Sequence, residues 1–178
     1  MNWMKKVAVA LVCLLPLGLQ AAKVDTLQVK SPSMNKSIEV VVVSPDVAAT
    51  EACPVIYLLH GYGGNARTWV GIKPDLPKIA DEKGIFFVCP DGKNTWYWDS
   101  PLNADVRYET FISDELVKYV DSHYKTVADR KGRAITGLSM GGHGAMWNGL
   151  RHSDVFSAAG STSGGVDIRL SLIHISEP

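Results

Sequence analysis

Two short runs of unbroken apolar residues, Val55-Ile56-Tyr57-Leu58-Leu59 and Ile85-Phe86-Phe87-Val88-Cys89, restrict the folds open to this chain more than any other feature. A strand with one wet face alternates polar and apolar side chains, whereas five apolar residues in a row call for cover on both faces. The neighbouring segments offer that cover. Residues 75–82 read as a short helix, and 109–123 carry apolar side chains at helical spacing through Phe111, Ile112, Leu116, Tyr119 and Val120. Further strands are expected at 133–136 and 156–159, with a helix over 140–150 between them. Strands alternating with helices imply βαβ units and an α/β class domain, its mainly parallel sheet flanked by helices. Ahead of these, 24–30 and 37–43 are β-rich and separated by Ser31-Pro32-Ser33, which predicts an antiparallel pair. No internal repeat or low-complexity stretch interrupts the series, so a single domain is the simplest count.

Charge narrows the choice of partner. Lys+Arg and Asp+Glu both total 18 in 178 residues, a net charge of zero. Nucleic acid or an anionic membrane surface would call for a clustered basic excess. The expected partner is a small or neutral molecule, with no nucleic acid.

Residues 1–22 read differently from the rest. Lys5 and Lys6 are followed by an apolar run from Val7 to Leu19 and then by Gln20-Ala21-Ala22, the three-part pattern of a cleaved secretory signal. The run is short of the ~20 residues a bilayer span needs. Cys13 follows Val12, where a lipoprotein site would have a small residue. The expected product is periplasmic or extracellular, without a stable membrane anchor after cleavage. Cys53 precedes one parallel strand and Cys89 ends its expected neighbour. The roughly 17 Å length of a five-residue strand then separates thiols that a disulfide would need within ~7 Å at Cα. Both are expected to be free.

Gly137-Leu138-Ser139-Met140-Gly141-Gly142 carries the chemistry. It leaves a strand and opens a helix, the context that gives G-x-S-x-G its meaning. A nucleophile on so sharp a turn has strained backbone angles, and side chains two residues to either side would collide; Gly137 and Gly141 remove them. The helix N-terminus then turns its amides toward the reacting centre. Ser139 is accordingly the expected nucleophile. His60-Gly61-Tyr62-Gly63-Gly64 leaves the end of a buried strand, where an oxyanion loop would lie. A tetrahedral intermediate needs two backbone N–H donors, assigned here to Tyr62 and Met140. His60 and Gly61 belong to the loop that meets the substrate, the imidazole bracing it by hydrogen bonding rather than acting as base. His143 lies one helical turn past Ser139 and is expected to point elsewhere, in a supporting or structural role. His123 and His152 read as ordinary surface or helix-end residues. Trp96 and Tyr97, with Trp98, follow another strand end, on the face where parallel sheets bind ligands. They would either wall an acyl or sugar pocket or pack beneath a long loop.

These motifs recur in order with Leu58-Leu59, Pro90-Asp91-Gly92, Asp99-Ser100-Pro101, Tyr108-Glu109 and Glu115-Leu116. Over roughly residues 35–169 the chain resembles the esterase D-type family, which is related to S-formylglutathione hydrolases, tributyrin and feruloyl esterases and mycolyltransferases. The resemblance implies an α/β-hydrolase fold, a serine carboxylic-ester hydrolase with Ser139 as nucleophile and the Tyr62 and Met140 amides as oxyanion hole, and no cofactor or metal.

In that fold the triad runs Ser, then Asp or Glu, then His. Downstream of Ser139 stand Asp154, Asp167, His152 and His174. Asp154 and His152 come before the next strand, on the face away from the site; Asp167 comes too early. Residues 170–178 depart from the family pattern and are similar to a translated sequencing adapter, so His174 is expected to be incidental. The reading is a signal over 1–22, the N-terminal part of an esterase domain over 23–169 and a non-native tail. The C-terminal strands, with the catalytic acid and base, would lie beyond residue 178, leaving this fragment inactive.

Overall fold

A computed structural model of the chain describes residues 22–165. Residues 1–21 of the expected signal, the 170–178 tail, Asp167 and His174 lie outside the described residues. The chain begins with a hairpin: β1 (Lys23–Ser31) and β2 (Lys36–Ser44) pair antiparallel from Lys23 opposite Ser44 to Ser31 opposite Lys36. After β3 (Val55–Leu59) come the helices α1 (Thr68–Ile72) and α2 (Leu76–Lys83). β4 (Phe86–Pro90) follows. α3 (Tyr108–Thr110) then runs without a break through a π-helical turn, Phe111–Glu115, into α4 (Leu116–His123). β5 (Arg133–Gly137), α5 (Met140–Arg151) and β6 (Ala158–Ala159) complete the order.

The sheet has six strands in the order β1-β2-β4-β3-β5-β6. β3 pairs parallel with both β4 and β5, and β5 with β6; the hairpin joins β4 antiparallel through β2. The architecture is the α/β-hydrolase arrangement of a mainly parallel sheet flanked by helices. Alternation along the buried strands sorts side chains between two cores. Val40, Val42, Tyr57, Leu59, Val88 and Ile135 face Phe111, Ile112, Leu116 and Val120 on one side, together with Met140 and Ala145 of α5. Val41, Val43, Leu58, Phe87 and Cys89 face Ala66, Leu76 and Ala80 on the other. Both apolar runs are thus covered on both faces.

Three details depart from the sequence expectation. The last strand is confined to Ala158–Ala159, because Phe156 turns inward to meet the Tyr57 ring edge-on at 5.6 Å and Ser157 N–H donates to the Arg133 carbonyl. Helix α1 is an addition, a five-residue element too short to show a period. The π-helical turn has no sequence signal at all. Cys53 and Cys89 are buried free thiols, Cys53 two residues before β3 and Cys89 within β4.

Candidate active site

The parallel strands β3, β4 and β5 all point their C-terminal ends the same way. His60, Asp91 and Ser139 follow those ends, and the candidate site is assembled from them.

Between β5 and α5 only Leu138 and Ser139 remain to reverse the chain. Ser139 adopts φ 53° and ψ −117°, a conformation that costs a non-glycine residue on the order of 1–3 kcal/mol. Its neighbours hold it there. The Ser139 N–H donates to the Thr162 carbonyl at 2.8 Å, Leu138 N–H donates to the Leu59 carbonyl at 3.2 Å, and the Ser139 carbonyl accepts from His143 N–H at 3.0 Å. The flanking glycines permit the turn. A Cβ on Gly137 would stand 2.3 Å from the Gly141 carbonyl. The outcome is an exposed Ser139 followed by a buried Met140.

The loop after β3 lies against this turn. A Cβ on Gly61 would stand 3.3 Å from the Leu138 carbonyl oxygen and 3.6 Å from Ser139 Cβ. The loop closes on itself where Gly64 N–H donates to the Gly61 carbonyl at 3.0 Å. It is tied outward where Gly63, at φ 76°, donates to Asn94 Oδ1 at 2.8 Å. Among the described residues, neither the Tyr62 nor the Met140 amide donates to another group. Met140 opens α5, so its N–H belongs to the unpaired first turn at the positive end of the helix dipole. The Tyr62 side chain is half exposed.

His60 is buried, and both ring nitrogens are engaged: Nε2 accepts from Gly92 N–H at 2.9 Å, and Nδ1 lies 2.7 Å from the Gly61 carbonyl. The ring therefore contacts the loop rather than open space. Asp91, beside it, is buried as well. Burial pushes its carboxyl up, but the hydrogen bonds from the Lys93 N–H and Nζ outweigh that and hold it well below the usual carboxylate range.

No imidazole among the described residues bonds to Ser139. His143 accepts from Trp98 Nε1 at 2.9 Å and contacts the Gly165 carbonyl with its other nitrogen. His123 stacks on Tyr119. His152, read from sequence as an ordinary helix-end residue, instead pairs with Glu109 at 2.9 Å.

Tyr97 takes the second of the two alternatives left open by the sequence and packs beneath its loop instead of walling a pocket. Its side chain has no exposed surface and fills a slot left by two glycines: a Cβ on Gly92 or on Gly144 would come within 2.0 or 2.5 Å of its ring. Its hydroxyl donates to the His60 carbonyl at 3.1 Å, and its own carbonyl accepts from Asn148 Nδ2 at 3.2 Å. Trp96 remains partly exposed, beside Trp98 and His143. Both Trp96 and Tyr97 hold positive φ, 58° and 61°. Tyr97 pins this loop to the ends of β3 and α5, and the aromatic surface left open is that of the tryptophans.

Sequence reasoning did not single out Thr162 or Asn94, and it gave Glu109 no role beyond its place in the Tyr108-Glu109 motif. The first acts through its main chain, which leaves no mark in the sequence. Glu109, nearly buried, accepts from Trp147 Nε1 at 2.7 Å, Arg151 Nε at 2.7 Å and His152 Nε2, and so locks α3 to α5. A signal for its partners was the i, i+4 spacing of Trp147 and Arg151 on one helix face.

The chain is similar to known proteins in sequence and in fold. Residues 31–177 match the family model described as "Putative esterase". The chain is 33% identical over 123 residues to an esterase of Mycobacterium tuberculosis (strain CDC 1551 / Oshkosh), covering 65% of this chain and 26% of that protein. It is 32% identical over 158 residues to the diacylglycerol acyltransferase/mycolyltransferase Ag85A of Mycobacterium leprae (strain TN), covering 81% and 44%. Among solved structures, a ferulic acid esterase superposes with a TM-score of 0.67 at 32% identity, covering 78% of this chain and 58% of the other. The chain thus spans less than two thirds of the length of each. A match over most of the sequence, on a sheet that ends in a strained serine turn, makes this chain a member of the "Putative esterase" family with the α/β-hydrolase fold.

Proposed function

We propose that the protein is an exported serine hydrolase of carboxylic esters that works through an acyl-enzyme on Ser139. The observation that carries the proposal is the exposed serine held at positive φ at the start of α5, beside a loop whose Tyr62 amide donates to no group among the described residues. Ser139 Oγ would attack the ester carbonyl while the Tyr62 and Met140 amides receive the developing oxyanion. Collapse of the intermediate expels the alcohol and leaves the acyl group on Oγ, and water then releases the acid. The base that accepts the Ser139 proton, and the acid that orients it, would come from outside the described residues, since each described imidazole is engaged elsewhere. Substrates would be small or polysaccharide-borne esters outside the cytoplasm, a reading supported by the secretory pattern of residues 1–22 and the neutral net charge.

Labelling with a fluorophosphonate, on protein expressed from its genomic reading frame, tests this. Wild type is expected to be labelled on the peptide containing Ser139, and a Ser139→Ala variant not at all. Equal labelling of the two, or none in wild type, overturns the proposal and favours a non-catalytic binding module on a hydrolase scaffold. A second reading, acyl transfer to a sugar or other alcohol, draws support from the similarity to a mycolyltransferase. The acyl-enzyme would be the same and only the acceptor would differ. Added alcohols would then be acylated during p-nitrophenyl acetate turnover.

A further inference from the structure

We propose that His60 is a positioning residue for the oxyanion hole, holding the Gly61–Tyr62 peptide by its carbonyl and so aiming the amide at the opposite end of the same plane. The inference rests on the reading above that the Tyr62 N–H receives the oxyanion.

The wiring follows from donors and acceptors. Gly92 N–H can only donate, so His60 Nε2 at 2.9 Å must accept and carries no proton. The neutral ring therefore bears its proton on Nδ1, which faces an acceptor-only group, the Gly61 carbonyl, at 2.7 Å. Asp91 Oδ1 lies 3.5 Å from Nε2 and would favour a proton there, but that distance exceeds a hydrogen bond. Asp91 is in any case engaged by Lys93, through its N–H at 2.9 Å and its Nζ at 2.6 Å. Among the described residues, Asp91 is the one charged partner paired with the ring.

A peptide unit is planar and trans, so its C=O and N–H point in opposite directions. Fixing the Gly61 oxygen toward the buried imidazole fixes the Tyr62 N–H away from it. Gly61 itself lies against Ser139. The preceding peptide is held in the same manner, because the Tyr97 hydroxyl donates to the His60 carbonyl at 3.1 Å. Gly64 belongs to the device: a Cβ there would stand 2.9 Å from His60 Nδ1 and displace the ring. A glycine-rich loop is pliable by nature. Two consecutive carbonyls held by buried donors make this one rigid where an oxyanion hole needs preorganised amides.

Two substitutions separate the halves of the ring. Asparagine places an amide N–H near the Nδ1 position, and glutamine places an acceptor oxygen near the Nε2 position. On protein expressed from its genomic reading frame, His60→Asn is expected to keep fluorophosphonate labelling of Ser139 within about threefold of wild type. His60→Gln is expected to lose roughly tenfold or more, within the ~10²–10³-fold range of deleting an oxyanion donor. The loss should fall on kcat for p-nitrophenyl acetate, with KM little changed. Equal losses in both variants, a larger loss in His60→Asn, no loss in either, or a change in KM alone overturns the proposal. Nitrogen-15 imidazole spectra of the unsubstituted 178-residue chain decide the wiring even if the variants fail to fold. The neutral Nδ1–H form supports it, and an Nε2–H form or an imidazolium at neutral pH overturns it. Wild type that is never labelled at Ser139, with the Nδ1–H form present, would instead remove the serine-hydrolase reading and His60's role with it.

Discussion

Gly141 and Leu59 touch through their main chains: a Cβ on Gly141 would stand 2.2 Å from the Leu59 carbonyl oxygen. The start of α5 thereby rests on the end of β3, and the serine turn is gripped by backbone from two elements. Gly141→Ala should therefore force helix and strand apart. Loss of at least about 1–3 kcal/mol is expected, as for other overpacked interiors, read as a lower denaturant midpoint.

Ser139 offers a complementary test. Alanine keeps the Cβ and with it the strain of φ 53°, whereas glycine adopts positive φ freely. Ser139→Gly is expected to be more stable than Ser139→Ala by about 1 kcal/mol, even after the added unfolded-state entropy of glycine. Thermal melts of the two variants side by side check this. Equal midpoints would mean the turn is unstrained.

The Tyr97 slot predicts a graded response. Tyr97→Phe keeps the ring between Gly92 and Gly144 and loses only the bond to the His60 carbonyl, a cost of about 0.5–1.5 kcal/mol. Tyr97→Ala empties the slot and should cost about 3–5 kcal/mol, as for other large buried aromatics. Urea unfolding of both variants is the measurement.

Glu109 makes acid stability pH-dependent. Burial pushes its carboxyl up, but hydrogen bonds from Arg151, Trp147 and His152 outweigh this and lower its pKa below the ordinary 4.5. A group with a depressed folded pKa adds stability above its unfolded value and loses it as pH falls through the folded one. Wild type should therefore lose stability progressively below about pH 4.5. Glu109→Gln, less stable at pH 7, should show a shallower decline over the same range. A parallel decline in both proteins would show that Glu109 carries no charge-dependent stability.

Cys89 has no exposed path and burial pushes its thiol far up; the Cys53 thiol is raised by burial first and by Glu51 second. Because the thiolate is the reactive form, iodoacetamide at pH 8 should spare both peptides in the native protein and modify both in guanidinium. Mass spectrometry of the digests reads this directly.

The two apolar runs announced β3 and β4 because strands buried on both faces have no polar alternation to hide. The serine turn was legible for a related reason: Gly137 and Gly141 stand where main chains approach too closely for any side chain. Tyr97 stayed undecided in the sequence because an aromatic residue near a site has the same letter whether it walls a pocket or fills a slot. Its fate was settled by Gly92 and Gly144, 5 and 47 residues away in sequence. The Thr162 carbonyl that fixes Ser139 could not be read at all, since every residue carries the same main-chain carbonyl. Glu109 fell between these cases, its partners spread over a helix 38–43 residues downstream.

The strand order has a kinetic corollary. β1 and β2 close locally across a four-residue turn, but β5 reaches β3 only after the long excursion through β4 and the 108–123 helix. Pairings that enclose so much chain form late, because loop-closure entropy is lost before the contacts repay it. The backbone strain at Ser139 depends on that last pairing and on Thr162 beyond it. A nascent or misfolded chain would thus carry an unstrained serine at this position, and the strained one proposed to be reactive would emerge only with the completed sheet. Covalent capture at residue 139 would then serve as a clock for the final step of folding.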